Sequence, residues 1–234
     1  MNQRDDTPKF VTDMIMPERE GGYLKGHETR ELILRTALSI LIEEGYRAMS
    51  MRRVAAACDM KFGNLTYHYR SREDLVRELL DAVIRSYELE FDAIVHMPGV
   101  AAEERLRRTC MLILDDIRSK KTTRLFPELW ALANHDPFVL DRVHELYTRA
   151  RAPLREIIAE MRPDISTEDR EIVSLFISGS MEGMTVFAGH EKPFESHMPQ
   201  IERIAVHSFC HLVKTITADE IRGLNAAPDS PASA

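Results

Sequence analysis

The sequence has no apolar run approaching the length of a bilayer-spanning helix, which argues against a membrane protein. Its three cysteines, Cys58, Cys110 and Cys210, are odd in number and widely spaced in helical patterns. No disulfide framework is expected from them; they read as small buried hydrophobes in a reducing cytoplasm. The N-terminus lacks a cationic start followed by an apolar block, so no secretion signal is expected. There is no Walker phosphate loop, G-x-G-x-x-G, H-E-x-x-H or G-x-S-x-G, and nothing marks a nucleotide cradle, a metal base or a nucleophile. Alternating β-branched runs bounded by turns are missing too, which removes the usual signature of strands. An excess of positive charge is also lacking. The formal net charge of −7 excludes a uniformly basic protein that coats nucleic acid.

What is present is an ordinary globular composition: 234 residues, 44% hydrophobic and 29% charged, enough for one large or two modest domains with a core. Charge is unevenly spread. Residues 25–80 carry ten basic and eight acidic groups, net +2, whereas residues 1–24 are net −2 and residues 81–234 net −7. Residues 1–26, with Pro8, Pro17 and Gly21-Gly22, show no sustained period and read as a flexible arm. The end, residues 221–234, reads as a disordered tail. Between them nearly everything has helical spacing, so the expected fold is all-α.

Helix breaks are legible. Glu28 to Glu44 places Leu32, Ile33, Thr36, Ala37, Ile40 and Leu41 on one face and stops at Gly45. Ser50 is suited to cap a short second helix ending near Asp59, with Met51, Val54, Ala55 and Cys58 inward. A third helix is expected over Phe62 to Tyr69. The pattern SRED from Ser71 then opens a long fourth helix, from about Glu73 to His96. Further helices are expected at about 101–118, 122–134, 137–161, 168–188 and 197–217. The reading divides the chain into a small helical unit at 27–78 and a larger one at 79–220.

Three short helices with a tight turn between the second and third make a helix-turn-helix, whose third helix is sized for a major groove. On a helical wheel, Phe62, Leu65 and Tyr69 share one face; Gly63, Asn64, Tyr67 and His68 share the other, with Lys61 at the edge. Asn64 suits a base edge, His68 and the Tyr67 hydroxyl suit phosphate oxygens, and Gly63 permits close backbone approach. Arg52, Arg53, Arg70 and Arg72 lie where flanking phosphates would run. A helix-turn-helix pattern also occurs in all-α proteins that bind no DNA, so spacing alone leaves both readings open.

The run TRELILRTALSILIEEGYRAMSMRRVAAACDMKFGNLTYHYRSREDLVRELL, residues 29–80, resembles the N-terminal DNA-binding domain of the TetR family of transcriptional regulators. ALSILIEEGY, SMRRVAAACDM, GNLTYHY and SREDL occur in order at the expected spacings. The segment ELWALANHDP, Glu128 to Pro137, resembles one found in part of the family, and the acidic helical remainder is similar to its ligand-binding and dimerisation domain. The resemblance implies a homodimer on a pseudo-palindromic operator, with Ser50, Met51, Arg52, Phe62, Gly63, Asn64, Thr66, His68 and Arg72 facing DNA. At Phe62 two expectations compete: the wheel points it at the core, the matching family position at bases. Asp59 stands where the family usually has glycine, and Thr66 where a phosphate-binding tyrosine is common.

For the dimer interface, LFISGSMEGMTVF offers Ser178, Gly179 and Gly183 beside Phe176 and Met184, with Ile204, His207, Phe209 and Leu212 on the partner helix. An intramolecular core is the other reading of the same residues. For a partly apolar small-molecule effector, Met111, Leu114, Phe126, Trp130, Phe138, Tyr147 and Met181 are candidate lining, though such residues also make plain core. His207, Cys210 and His211 have i, i+3, i+4 spacing but match no metal motif, so no metal or cofactor is expected. The alternatives from other classes are a helical small-molecule enzyme, and an adaptor that kept the fold and lost DNA binding.

Overall fold

The computed structural model describes residues 24–223. The described residues form twelve α-helices and no strand. The N-terminal helices are α1 (Leu24–Glu44), α2 (Met51–Ala57), α3 (Phe62–His68) and α4 (Arg72–Val95). They are followed by α5 (Ala102–Ile117), α6 (Lys120–Ala133), α7 (Pro137–Ala150), α8 (Ala152–Met161) and α9 (Thr167–Glu182). Last come α10 (Met184–Ala188), a 3-10 turn at Glu195–His197, α11 (Met198–Thr215) and α12 (Ala218–Arg222).

Local chemistry sets the boundaries. Gly45 ends α1 with φ +83°, a conformation that suits glycine. The hydroxyls of Ser50 and Ser71 accept from the backbone N–H groups of Arg53 and Asp74, capping α2 and α4. Four expectations are corrected. First, α1 starts at Leu24, inside the stretch read as an arm; residues 1–23 lie outside the described residues. Second, the helix expected over 137–161 is two. Pro153 lacks the N–H that would bond the Arg149 carbonyl, and α8 restarts with Arg155 N–H donating to the Arg151 carbonyl at 3.1 Å. Third, Leu34 takes the place on the buried face of α1 that Leu32 was given: Leu34 is fully buried and Leu32 is 47% exposed. Fourth, residues 221–223 belong to α12 and its cap, where Thr217 and Glu220 form a reciprocal capping box and Gly223 takes φ +68°. The rest of the expected tail, 224–234, lies outside the described residues.

Two apolar clusters hold the helices together. One joins Leu34, Ala37, Val54, Leu65 and Leu75 to Leu79, Val83 and Tyr87 of α4, then to Leu125, Phe126 and Leu129 of α6 and Val143 and Leu146 of α7. The second gathers Leu106, Cys110 and Leu114 of α5, Ile157 of α8, Val173, Ile177 and Met181 of α9, and Phe209 and Val213 of α11. The division expected near residue 78 therefore falls within α4, where one cluster runs on without a break.

Polar ties run from α6 to the turn after α1. Lys120 pairs with Glu43 at 2.6 Å, Arg124 reaches the same carboxylate at 3.4 Å, and the Tyr46 N–H donates to Glu128 at 3.3 Å.

Candidate nucleic-acid interface and effector cavity

The turn between α2 and α3 is made by Asp59, which takes φ +51°. Its N–H donates to the Ala56 carbonyl, and the Met60 N–H donates to the Ala55 carbonyl. The left-handed conformation is accessible to Asp at a cost that glycine does not bear. Asp59→Gly is therefore expected to raise stability by about 0.5 kcal/mol, the relief being partly offset by glycine's greater chain entropy. A urea midpoint that falls would contradict this.

The turn presents α3 outward. Leu65 and Tyr69 are buried under it, and Lys61, Gly63, Asn64 and Tyr67 are exposed, Tyr67 at 85%. A Cβ on Gly63 would meet nothing within 4 Å, so this surface can be approached closely. Phe62 is 46% exposed and lies under the Arg52 guanidinium, 5.8 Å from ring centre to Cζ. That matches the outward placement implied by the family position and overturns the inward one from the wheel. Ser50 and Arg52 are exposed, and Met51 leans on the first apolar cluster. Thr66 is half-buried, its hydroxyl donating to the Gly63 carbonyl. His68 is half-buried, and burial, then the nearby Arg30 charge, lowers its pKa, which favours a neutral ring.

Two arginines are used internally. Arg53 pairs with Glu44 at 2.6 Å. Arg72 donates from Nη2 to the Tyr46 carbonyl at 2.5 Å and stacks over the Tyr46 ring at 3.8 Å. The guanidinium thereby fastens the start of α4 to the α1–α2 loop. Arg70, by contrast, is exposed.

A cavity lies between α4, α5, α6, α7, α8 and α9. Its wall includes Tyr87, Phe91, Ile113, Phe126, Tyr147 and Leu154, together with Asp116, Thr122, Ser178 and Glu182. It leaves about 40 Å³ for the centres of water molecules, so any larger ligand must spread the helices. The rings of Tyr87, Trp130 and Tyr147 each lie 6.3 to 6.5 Å from Phe126, and Trp130 Nε1 donates to the Tyr147 hydroxyl at 2.8 Å.

The polar groups are unusual for a helical core. Tyr87 donates to Asp116 Oδ2 at 2.5 Å, and the Thr122 hydroxyl donates to the same oxygen. Asp116 is 3% exposed, its Oδ1 without a partner among the described residues; Glu182 Oε2 and the Lys121 ammonium are likewise buried and unpartnered. Burial, then the charge of Asp116, pushes the Glu182 carboxyl up to about 7, against the pull of the Tyr147 hydroxyl. Burial lowers Lys121 to about 8 despite the attraction of Asp116, and its Nζ sits 4.8 Å from the Tyr87 ring centre.

Residues 33–79 match the family model of bacterial regulatory proteins, tetR family, and residues 102–211 match the model of the C-terminal part of BetI-type transcriptional repressors. The chain belongs to the TetR family of transcriptional regulators. An uncharacterised HTH-type transcriptional regulator in the dhlA 5' region of Xanthobacter autotrophicus is 26% identical over 179 residues, 73% of this chain and 84% of that protein. The HTH-type transcriptional regulator AcrR of Shigella flexneri is 28% identical over 174 residues, 68% of this chain and 79% of that one. A solved TetR-family structure from Mesorhizobium loti shares the fold with a TM-score of 0.67 at 15% identity, over 81% of this chain and 98% of that one. A regulator from Saccharomonospora viridis, solved in complex with choline, has a TM-score of 0.59 at 21% identity, over 77% of this chain and 96% of its own.

In this TetR-family chain the residues expected to line a pocket separate. Phe126 and Tyr147 line the cavity and Trp130 stands behind Tyr147. Leu114 and Met181 are buried in the second cluster. Phe138 packs on the first cluster under Arg77, and Met111 is exposed at an outer groove between α5 and α11. Expected interface residues also divide. Phe176, Gly179, Ile204 and His207 are exposed; Gly183 is half-buried, and Met184 and Leu212 are half-buried against the second cluster; Ser178 and Phe209 are buried. Ile172, Leu175, Val186 and Phe187, which sequence reading missed, add to the same exposed apolar region. The first two share helical spacing with Phe176 and Gly179, so the stripe was there to be read. Among the described residues no three His, Cys, Asp or Glu side chains converge as metal ligands; the His207 and His211 rings stack 6.5 Å apart.

Proposed function

We propose that this TetR-family regulator is a ligand-responsive repressor that binds a pseudo-palindromic operator as a homodimer in the cytoplasm. The observation that carries the reading is the outward face of α3. Asn64, Phe62, Arg52, Lys61 and Tyr67 are all exposed, and their chemistry suits a base edge for Asn64, a thymine methyl for Phe62 and phosphates for the other three. Exposed Ile172, Leu175 and Phe176 on α9 and Ile204 on α11 are large apolar groups that a second copy would cover. The aromatic cavity supplies the effector site, and the choline-bound relative supports a small-molecule reading of it. The domain division follows: residues 27–78 present the DNA face, and residues 79–220 hold the cavity and the apolar face.

Opening the cavity would shift Tyr87 and Phe91, and with them α4, whose first turn is fastened to the DNA-binding helices by Arg72. The effector would thereby change the separation of the two α3 helices and favour a dimer that no longer fits the half-sites. Among the described residues no helix is long and apolar enough to cross a membrane.

Selection of fragmented host DNA on the purified protein, with random DNA as competitor, tests the reading. Recovery of a pseudo-palindrome is expected; no enriched sequence even at low salt would sink it. Asn64→Ala should lower affinity for the recovered operator about tenfold with little change on random DNA. Equal losses on both would remove Asn64 from base reading.

A further inference from the structure

The wall of the cavity carries two carboxyl groups and no cation. Asp116 comes from α5 and Glu182 from the last turn of α9. Each has one oxygen, Asp116 Oδ1 and Glu182 Oε2, that is buried and without a partner among the described residues. The helices around the pair do not balance it. From α4 the Tyr87 hydroxyl donates to Asp116 Oδ2 at 2.5 Å, and from α6 the Thr122 hydroxyl donates to the same oxygen. Lys121, also on α6, lies outside the wall, with its ammonium 4.8 Å from the Tyr87 ring centre, and pairs with no carboxylate. From α7, Tyr147 acts on Glu182 while its hydroxyl accepts from Trp130 Nε1 at 2.8 Å. Arg151, at the end of α7, is engaged by Glu171 at 3.5 Å. Helix α8 contributes only Leu154 to the wall, and α10 and α11 contribute nothing.

Two carboxyl groups in one enclosed cavity without a cation cannot both ionise at low cost, so the closed cavity holds a proton between them. The donors decide its place. Two hydroxyls on Asp116 Oδ2 favour an ionised Asp116, which leaves the proton to Glu182. Resting on the reading that opening the cavity releases the operator, we propose that this carboxyl pair is a pH switch. Protonated at Glu182, it keeps α9 closed on α5 and favours the DNA-binding state; deprotonated, it parts the two helices, admits water and releases the operator with no effector bound. The direction follows from proton counting. In the closed state, burial and then the charge of Asp116 push the Glu182 carboxyl up to about 7, against the pull of Tyr147, and in an opened, hydrated cavity it returns toward its ordinary 4.5. The closed state is therefore favoured in full at low pH and loses that advantage as pH rises through 7. Movement reaches the DNA face through Tyr87, which is bonded to Asp116 and belongs to α4, whose first turn Arg72 fastens to the α1–α2 loop.

The test starts from the genomic DNA selection run at pH 6. Affinity of the full chain for the recovered operator and for random DNA is then measured from pH 5.5 to 8.5 at constant ionic strength. Taking the ratio of the two removes the response of groups that meet phosphates alike on both DNAs. That ratio should fall about tenfold between pH 6 and pH 8, the loss that one fully coupled proton with a midpoint near 7 produces. Trp130 is the only tryptophan in the chain and is bonded to Tyr147, so its fluorescence should titrate with the same midpoint. Glu182→Gln should hold the ratio at its low-pH value up to pH 8.5 and remove the fluorescence transition. Asp116→Asn takes away the repelling charge and should move both midpoints down, toward the ordinary carboxyl range. A ratio that changes less than about twofold, or a fall that survives Glu182→Gln, would overturn the switch and leave the regulator. Recovery of no operator at pH 6 would remove the regulator reading, and the switch with it.

Discussion

Glu182→Gln is expected to stabilise the protein by about 3 kcal/mol at pH 8 and by very little at pH 4.5. Burial and the charge of Asp116 raise the folded-state carboxyl from its ordinary 4.5 to about 7, and each unit is worth about 1.4 kcal/mol. The sign follows from proton counting. Between pH 4.5 and 7 the folded chain keeps a proton that the unfolded chain has released, so stability is full below 4.5 and declines as pH rises through 7. An amide in place of the Glu182 carboxyl does not titrate, which removes that decline. Urea unfolding at several pH values measures it: the gap between variant and parent should open across pH 5 to 7.5 and then level off, with unchanged m values. A gap independent of pH would mean that Glu182 is not a buried acid.

The elements could be read from sequence where local chemistry decides them. Gly45 and the serines at 50 and 71 punctuate α1, α2 and α4 whatever surrounds them, and the Leu65 and Tyr69 spacing fixes the inner face of α3. Asp59 in the left-handed region was also legible, because Asp tolerates φ > 0 better than most residues. Phe62 was misplaced by periodicity because the first residue of a short helix sits beyond the packed turn, where Arg52 rather than the core covers its ring. The cavity was the least legible. A search for Met and aromatic residues found Phe126 and Tyr147 but gave equal weight to Leu114 and Met181, which fill the second core. Its distinctive members are polar, and a lone Asp or Glu in a helix reads as solvated until tertiary structure buries it. One signal existed: Asp116 follows Leu112 by four residues and Ile113 by three, on the apolar stripe of α5.

Arg72→Ala is expected to destabilise the protein by about 2–4 kcal/mol, and the loss of operator binding should follow from that rather than from a missing phosphate contact. The guanidinium makes a charged hydrogen bond to the Tyr46 carbonyl at 2.5 Å and lies 3.8 Å from the Tyr46 ring centre. Such a bond contributes roughly 1.5–3 kcal/mol and a partly desolvated cation–π contact about 0.5–2. Tyr46 is itself 7% exposed, and its N–H donates to Glu128 on α6. Removing Arg72 therefore loosens the junction of α1, α4 and α6, through which movement at the cavity would reach α3. Arg72→Lys should restore little, since a point ammonium cannot both stack and keep the fork geometry. Two measurements separate this role from a phosphate contact. If Arg72 is structural, the urea midpoint falls, affinity drops alike on operator and random DNA, and the slope of log affinity against log salt is unchanged. A phosphate contact would leave stability intact and reduce that slope by about one unit. The first outcome is the one expected, because the contacts of the guanidinium with the Tyr46 carbonyl and ring are what position the first turn of α4.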